Sequence, residues 1–414
     1  MTEYESRVPV RQVTRGPRAH FFGYYEKTPW SPDGTRLLCL EVGFDGRMPT
    51  AEDAATVGVV ELSSDGDGEP GFTPLAESRA WNWQQGCMLQ WLPGSDSDVV
   101  FNDRAAGTDR FHAAVLDART GVLRRALPRP VYAVAPDGRS ALTLDFARLA
   151  ACRPTTGYAA AAVPSSAAAS PPRAAPENDG VWSMDMVTGD ARMLFSFAEV
   201  SVVGANRAPD DAPQWFEHLM WNPDGTRFLF LHRWADGQTR RLRSRLFTAG
   251  ADGSGLRCLC ADGMASHFDW AGEAEIVAWA RQEGAGDGWF VFADEEASGG
   301  DDGLRRGRRA EADLPPRDGH CSFSPDRTHL LSDAYPDHDG YSPLYVCPWP
   351  DGVRQDLGRF RQPAHLTGDV RCDLHPRWDR TGTRVCIDSA HADGVRQVYV
   401  LDVRSALGSA PPPG

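Results

Sequence analysis

At 414 residues the chain is longer than one packed core ordinarily supports, which leaves two or three domains or a closed radial array that grows by adding small sheets. Its 57 acidic and 43 basic residues give a net charge of −14, which excludes a nucleic-acid binder built on a basic stripe yet permits a local pocket of opposite sign. No apolar run reaches membrane-spanning length, residues 1–16 lack the apolar stretch of a signal peptide, and the nine Cys are scattered, so a cytoplasmic protein with reduced thiols and no membrane contact is expected.

One phrase recurs along the chain. WSPDGTRLLCLEV (30–42), VAPDGRSALTLDF (134–146), WNPDGTRFLFLHRW (221–234) and FSPDRTHLLSDAY (323–335) are its clear copies, and 91–103, 270–280 and 378–390 are looser ones. Each copy reads as a short strand ending in an aromatic residue or Val, a Pro-Asp-Gly turn, and an alternating apolar strand. A further strand with an edge-like ending follows. Seven copies of a four-stranded antiparallel unit predict an all-β, seven-bladed β-propeller forming a single domain over 1–414. The blades are expected at 15–78, 79–128, 129–205, 212–260, 261–316, 317–362 and 363–403. The seventh lacks an outermost strand, which 8–14 would supply, and 404–414 reads as a disordered tail. The Ala/Pro/Ser-rich stretch 153–180 predicts a surface loop inside blade 3, which would cover a pocket only as the lesser alternative. The charged stretch 295–313 predicts a solvated loop in blade 5.

Aligning the blades on the residue before each turn exposes a second pattern. Three residues earlier stand Lys27, Met88, Val131, His218, His267, His320 and His375. Four consecutive blades carry His at one register in a chain with eleven His, and blade 1 carries the only Lys. First strands of a propeller line its channel, so these side chains should converge on the axis. Asp318 and His320, like Asp373 and His375, are two apart and on one side of an extended strand. Two such pairs beside two further imidazoles predict a divalent-metal site in which a carboxylate either ligates or orients a ligating imidazole. Gln84 and Gln85 in blade 2 lie close enough in sequence to reach a ligand there.

With His opening successive inner strands and a last blade reading DLHPRW…DSAHADGVRQVYVLDV, the chain resembles the oligogalacturonate lyases. These are cytoplasmic seven-bladed propellers that bind manganese and cleave uronate oligomers by β-elimination. The resemblance implies that Ser266-His267 matches the motif carrying the base, and that His320 matches a metal ligand. The family's His-Pro-His-Pro motif reads Asp373-Leu374-His375-Pro376 here: the second His is kept and Asp stands in place of the first. The family's Gln ligand falls at Val370, and Asp373 would take over the missing coordination. Manganese is the metal this implies, with zinc and iron as alternatives; three imidazoles disfavour calcium.

The chemistry follows from residue types as well. Removing a proton α to a carboxylate needs a cation on that carboxylate and a base that is neutral near pH 7. His320, His375 and Asp373 would hold the cation and His267 would be the base. His218 would be a fourth ligand or face the leaving oxygen, and Lys27 would neutralise a carboxylate or donate a proton. Loops between second and third strands should open on the same face, and Arg104, Arg233, Tyr335 and His391, with Gln85, are the expected contacts to a small anionic substrate. A carbon–oxygen lyase or isomerase for a uronate-like acid is therefore the leading expectation. The alternatives are a non-catalytic interaction platform and a metal-dependent cyclase or hydrolase.

Overall fold

A computed structural model describes residues 4–62, 71–105, 107, 108, 110–159, 174–237, 239, 241–295 and 306–408. Seven antiparallel sheets form seven blades, confirming the β-propeller. In blades 1 to 5 the strands run from innermost to outermost in chain order, as in blade 4: Gln214–Trp221, Arg227–Ala235, Leu242–Gly250 and Arg257–Cys260. Val10–Gln12 pairs with Gln397–Asp402, with Val10 opposite Leu401, so the N-terminal segment completes blade 7 and closes the ring.

Other elements depart from the sequence expectations. Tyr4–Ser6 adds a fifth strand to blade 6 through Gln355–Arg361. A helix, Phe146–Cys152, follows the second strand of blade 3; the Asp145 side chain caps it by accepting from the Ala147 and Arg148 amides. The outer strand of blade 5, Arg308–Arg309, lies inside the stretch expected to be loop. Of the expected tail, Arg404–Ala406 is a turn of 3-10 helix, and 409–414 lies outside the described residues.

The recurring phrase has a physical explanation in two parts. Apolar side chains of neighbouring blades interdigitate in clusters spanning each interface, such as Leu229, Leu231 and Leu246 with Phe268 and Ile276 between blades 4 and 5. In the five blades that carry Trp before the turn, its indole then ties the blade to the one before. Trp91 Nε1 donates to Pro29 O at 2.8 Å, Trp221 Nε1 to Ala133 O at 3.1 Å and Trp378 Nε1 to Ser322 O at 3.2 Å. Across the closure, Trp30 Nε1 donates to Arg377 O at 3.3 Å. The turn itself needs a left-handed residue, supplied by Gly34, Gly138, Gly225 and Gly382 and, in the one PDR copy, by Arg327 at φ +62°.

Candidate functional site

The aligned register is a place where the inner strands break their pleat. Met88, His218 and His375 have φ of +54°, +58° and +43°, and the pairing of blade 4 slips between Glu217 and Met220. Blade 5 slips likewise between Ala265 and Phe268, around His267. A bulge with a left-handed residue turns a side chain out of the sheet face toward the axis, and such strain is characteristic of binding sites. Four imidazoles meet there: His267 and His320 rings lie 4.2 Å apart between centroids, His320 and His375 4.3 Å, and His218 and His267 6.3 Å.

Within this ring, ligand atoms of His320, Asp373 and His375 all lie within 4.8 Å of one another, and all three residues are buried. His375 Nε2 has no hydrogen-bond partner among the described residues and stands 3.9 Å from Asp373 Oδ2. Asp333 organises two of the three. It accepts from His320 Nδ1 at 2.9 Å, from the His320 amide at 2.7 Å and from the His375 amide at 3.2 Å. His320 Nε2 is thereby left as the free lone pair, because a carboxylate on one ring nitrogen fixes the tautomer and orients the other nitrogen toward an ion. Burial holds the His320 and His375 imidazoles well below their ordinary range, hence neutral, and raises the Asp333 carboxyl to about 7. Two neutral imidazoles, a carboxylate and an unsatisfied buried nitrogen fit a divalent transition-metal ion. Arg371 Nε lies 2.7 Å from Asp373 Oδ2, close enough for an ion pair though off hydrogen-bond direction. A second close trio, Asp337, His338 and Asp339, sits on a largely exposed loop, where Asp337 is engaged by Arg359.

His267 has a different partner set. Its Nδ1 donates to Asp318 Oδ1 at 2.9 Å and lies 3.2 Å from Ser266 Oγ, which leaves Nε2 as the basic nitrogen facing the ring. Asp318 therefore serves His267 of the preceding blade and not His320, contrary to the same-strand pairing expected. The strand of blade 6 begins only at Cys321, so the period-two rule does not extend back to Asp318. Burial raises the Asp318 carboxyl, but the His267 charge and hydrogen bond outweigh it and hold it below its usual range.

The residues that sequence reasoning missed come from blade 1. Phe21 opposes Leu40 and Trp30 opposes Leu37, so nine steps on the inner strand match three on its neighbour, and the excess loops into the channel. The loop is anchored by the Phe22 and Gly23 amides on Asp388 and by Arg377 Nη1 on Gly23 O at 2.8 Å. Gly23, at φ +122°, packs where a Cβ would lie 2.7 Å from Gln85 C. The loop places Tyr24 among the histidines, its ring centroid 4.8 Å from His218, 5.1 Å from His375 and 5.9 Å from His320. Tyr25 packs against two of the histidines, its ring centroid 5.9 Å from His267 and 5.6 Å from His320 and its hydroxyl donating to Phe268 O at 2.9 Å. Glu26 accepts from His218 Nδ1 at 3.1 Å and from Lys27 Nζ at 3.3 Å. Only the unrepeated GYYEK preceding the first turn could have signalled these roles.

The remaining expected site residues divide. Arg233 pairs with Glu217, the residue before His218; Gln85 Nε2 donates to Tyr132 Oη at 3.2 Å, and Tyr132 accepts from the His218 amide. Tyr335 lies 5.6 Å from His320 and 6.2 Å from His267 by ring centroids. His218 itself stands outside the close metal-ligand trio, with Glu26 on Nδ1 and the Tyr24 hydroxyl 3.5 Å from Nε2. Lys27 is buried against Glu26 and the Tyr132 ring, and burial lowers its ammonium pKa. It lines a 440 Å³ cavity that opens on the turn face with Arg327, Arg377 and Arg380. Arg104 and His391 are not brought to the ring. Arg104 is spent on Ala51 O and Thr108 O, and His391 packs among Tyr4, Phe360 and Tyr399 with Nδ1 2.9 Å from Ser389 Oγ. Both leave their strands sideways, into blade interfaces. Among the described residues no helix is long and apolar enough to cross a membrane.

No protein-family model matches the chain, and no curated protein sequence does. Solved structures do match its fold. An oligogalacturonate lyase from Vibrio parahaemolyticus superposes with a TM-score of 0.62 at 14% identity, over 98% of this chain and 98% of its own. An oligogalacturonate lyase in complex with manganese gives 0.65 at 15% identity, over 99% and 96%. A xyloglucanase from Xanthomonas campestris gives 0.51 at 13%, over 98% of this chain and 55% of its own. The chain thus shares its fold with these two oligogalacturonate lyases along almost the whole length of each.

Proposed function

We propose that this protein is a metal-dependent lyase that eliminates across the α and β carbons of a small uronate-like acid bound on the propeller axis. One observation carries the reading: His267, with Nδ1 committed to Asp318 and Nε2 free, stands 4.2 Å ring to ring from a buried imidazole–carboxylate trio that fits a divalent ion. The manganese-bound lyase of the same fold supports it. His320, Asp373 and His375 would hold the ion, manganese first, which would polarise the substrate carboxylate and make its α proton acidic. His267 Nε2 takes that proton, and Asp318 stabilises the imidazolium that results. As the carbon–carbon double bond forms and the β carbon–oxygen bond breaks, the leaving oxygen takes a proton from the Tyr24 hydroxyl. His218, fixed by Glu26, lies next to that hydroxyl. Arg371 and Arg233 supply positive charge around an anionic substrate.

The test is a screen of uronates with manganese-loaded protein, following the ultraviolet absorbance of the conjugated product. His267→Ala should lower turnover at least ~10³-fold with the metal retained. Retained turnover in that variant would remove His267 as the base. Metal binding without turnover of any uronate would move the reading to another metal-dependent reaction class.

A further inference from the structure

Loops from four blades meet over the histidine end of the channel. The segment 153–158 leaves blade 3 after the helix Phe146–Cys152. Asn82 of blade 2 donates its side-chain amide to Thr156 O at 3.0 Å, and Thr156 Oγ1 donates to Glu217 Oε2 of blade 4 at 2.9 Å. Thr155 Oγ1 donates to Asp369 Oδ1, on the turn entering blade 7, at 2.6 Å. Blades 3 and 7 are not neighbours in a seven-membered ring, so a segment of one that bonds the other crosses the channel mouth. Gln84 makes a second crossing, its Nε2 donating to Arg371 O at 3.1 Å. The residues beneath are nearly sealed: His218, His267, His320, Asp373 and His375 are 2–7% exposed.

Under this cover the polar groups are not all satisfied. Arg153 Nε and Arg233 Nε are buried without a hydrogen-bond partner among the described residues. Both guanidinium groups act on one carboxylate, Glu217, which they and His218 hold at about 2 against its burial. Two guanidinium groups facing one carboxylate leave a positive charge and free donors, the complement of a ligand oxyanion.

We propose that 153–158 is a roof that encloses a single small acid whole, and that Arg153 and Arg233 bind its oxyanion at the end away from Asp373. The choice of a uronate rests on the lyase reading; the enclosure does not. The site then takes one sugar-acid unit and excludes the end of a longer chain.

Two measurements separate the claims. In metal-free protein, diethyl pyrocarbonate labelling read by peptide mass spectrometry reports access to His320 and His375, with the exposed His338 as internal reference. Thr155→Val/Thr156→Val should raise labelling of the two ring histidines on the order of 10–100-fold and leave His338 unchanged. Unchanged ring labelling in the folded variant would overturn the roof, and Thr155→Val alone carries the comparison if the pair does not fold. In manganese-loaded protein, calorimetry with D-galacturonate and trigalacturonate should show binding of the monomer only. Arg153→Gln should weaken that binding about tenfold with manganese affinity kept. Equal affinity for the trimer would overturn the one-unit restriction, and an unchanged monomer affinity in Arg153→Gln would overturn its role. If neither uronate binds, the uronate reading and with it the one-unit claim fall, while the labelling still decides the roof.

Discussion

Asp333→Asn is the substitution that best tests how the fold prepares the candidate metal centre. Asp333 touches no ion in the proposed arrangement, yet it holds His320 through Nδ1 at 2.9 Å and fixes the backbone of both His320 and His375. Asn has nearly the same shape but only one oxygen, and its amide would face a donor among the three N–H groups now satisfied. His320 would lose its fixed tautomer and orientation. Outer-shell losses of this kind weaken metal binding by about 10–100-fold, or about 1.4–2.7 kcal/mol. Manganese affinity measured by competition with a chelator should fall by that factor while the far-ultraviolet spectrum stays unchanged. Asp318→Asn is the counterpart: it holds His267, so it should leave manganese affinity intact and abolish turnover. Unaltered manganese affinity in a folded Asp333→Asn protein would refute the assignment of His320 and His375 as ligands prepared by this carboxylate.

Other expectations concern the frame. Gly23→Ala puts a Cβ 2.7 Å from the Gln85 backbone at φ +122°, and should destabilise the protein by at least about 2 kcal/mol in urea titration. Trp91→Phe removes the bond to Pro29 O between blades 1 and 2 and should cost about 1 kcal/mol by the same measurement. Acid should weaken the fold through its buried neutral histidines. Burial lowers His391 to about 4 and, with the charge of Arg245, holds His232 well below its ordinary range. The unfolded chain takes up these protons near pH ~6.5, so stability present above that pH is lost as pH falls from about 6.5 toward 4. His391→Phe should flatten this slope, by about 2–3 kcal/mol between pH 7 and 4, and an unchanged slope would contradict a buried neutral His391.

The fold was legible because its stabilising devices recur along the chain: the alternating strand in the repeats, the left-handed turn residue in most of them, and in five the Trp that bonds the preceding blade. The His register was legible for the same reason, since a position repeated in successive blades converges on one axis. What escaped is what does not repeat. Tyr24, Tyr25 and Glu26 ride on an insertion confined to blade 1, and Asp333 reaches His320 from the neighbouring strand, thirteen positions along the chain. Arg104 and His391 were expected at the mouth because their loops open there. Strand-end side chains, however, also turn sideways into blade interfaces, and only packing decides which way they go. The segment 153–158 illustrates the converse: low-complexity sequence concealed Thr155, whose hydroxyl bonds Asp369 across the channel, and Thr156, whose hydroxyl bonds Glu217 of the next blade.

If His320, Asp373 and His375 form a metal centre, the protein binds an ion that it loses with the two imidazoles, and metal stoichiometry measures that loss. Untagged protein reconstituted with manganese, and the His320→Ala/His375→Ala variant treated identically, should be compared by elemental analysis after removal of free ion. About one equivalent is expected in the wild type and none in the variant. Equal metal content in the two, or none in either, would rule out these residues as the metal centre.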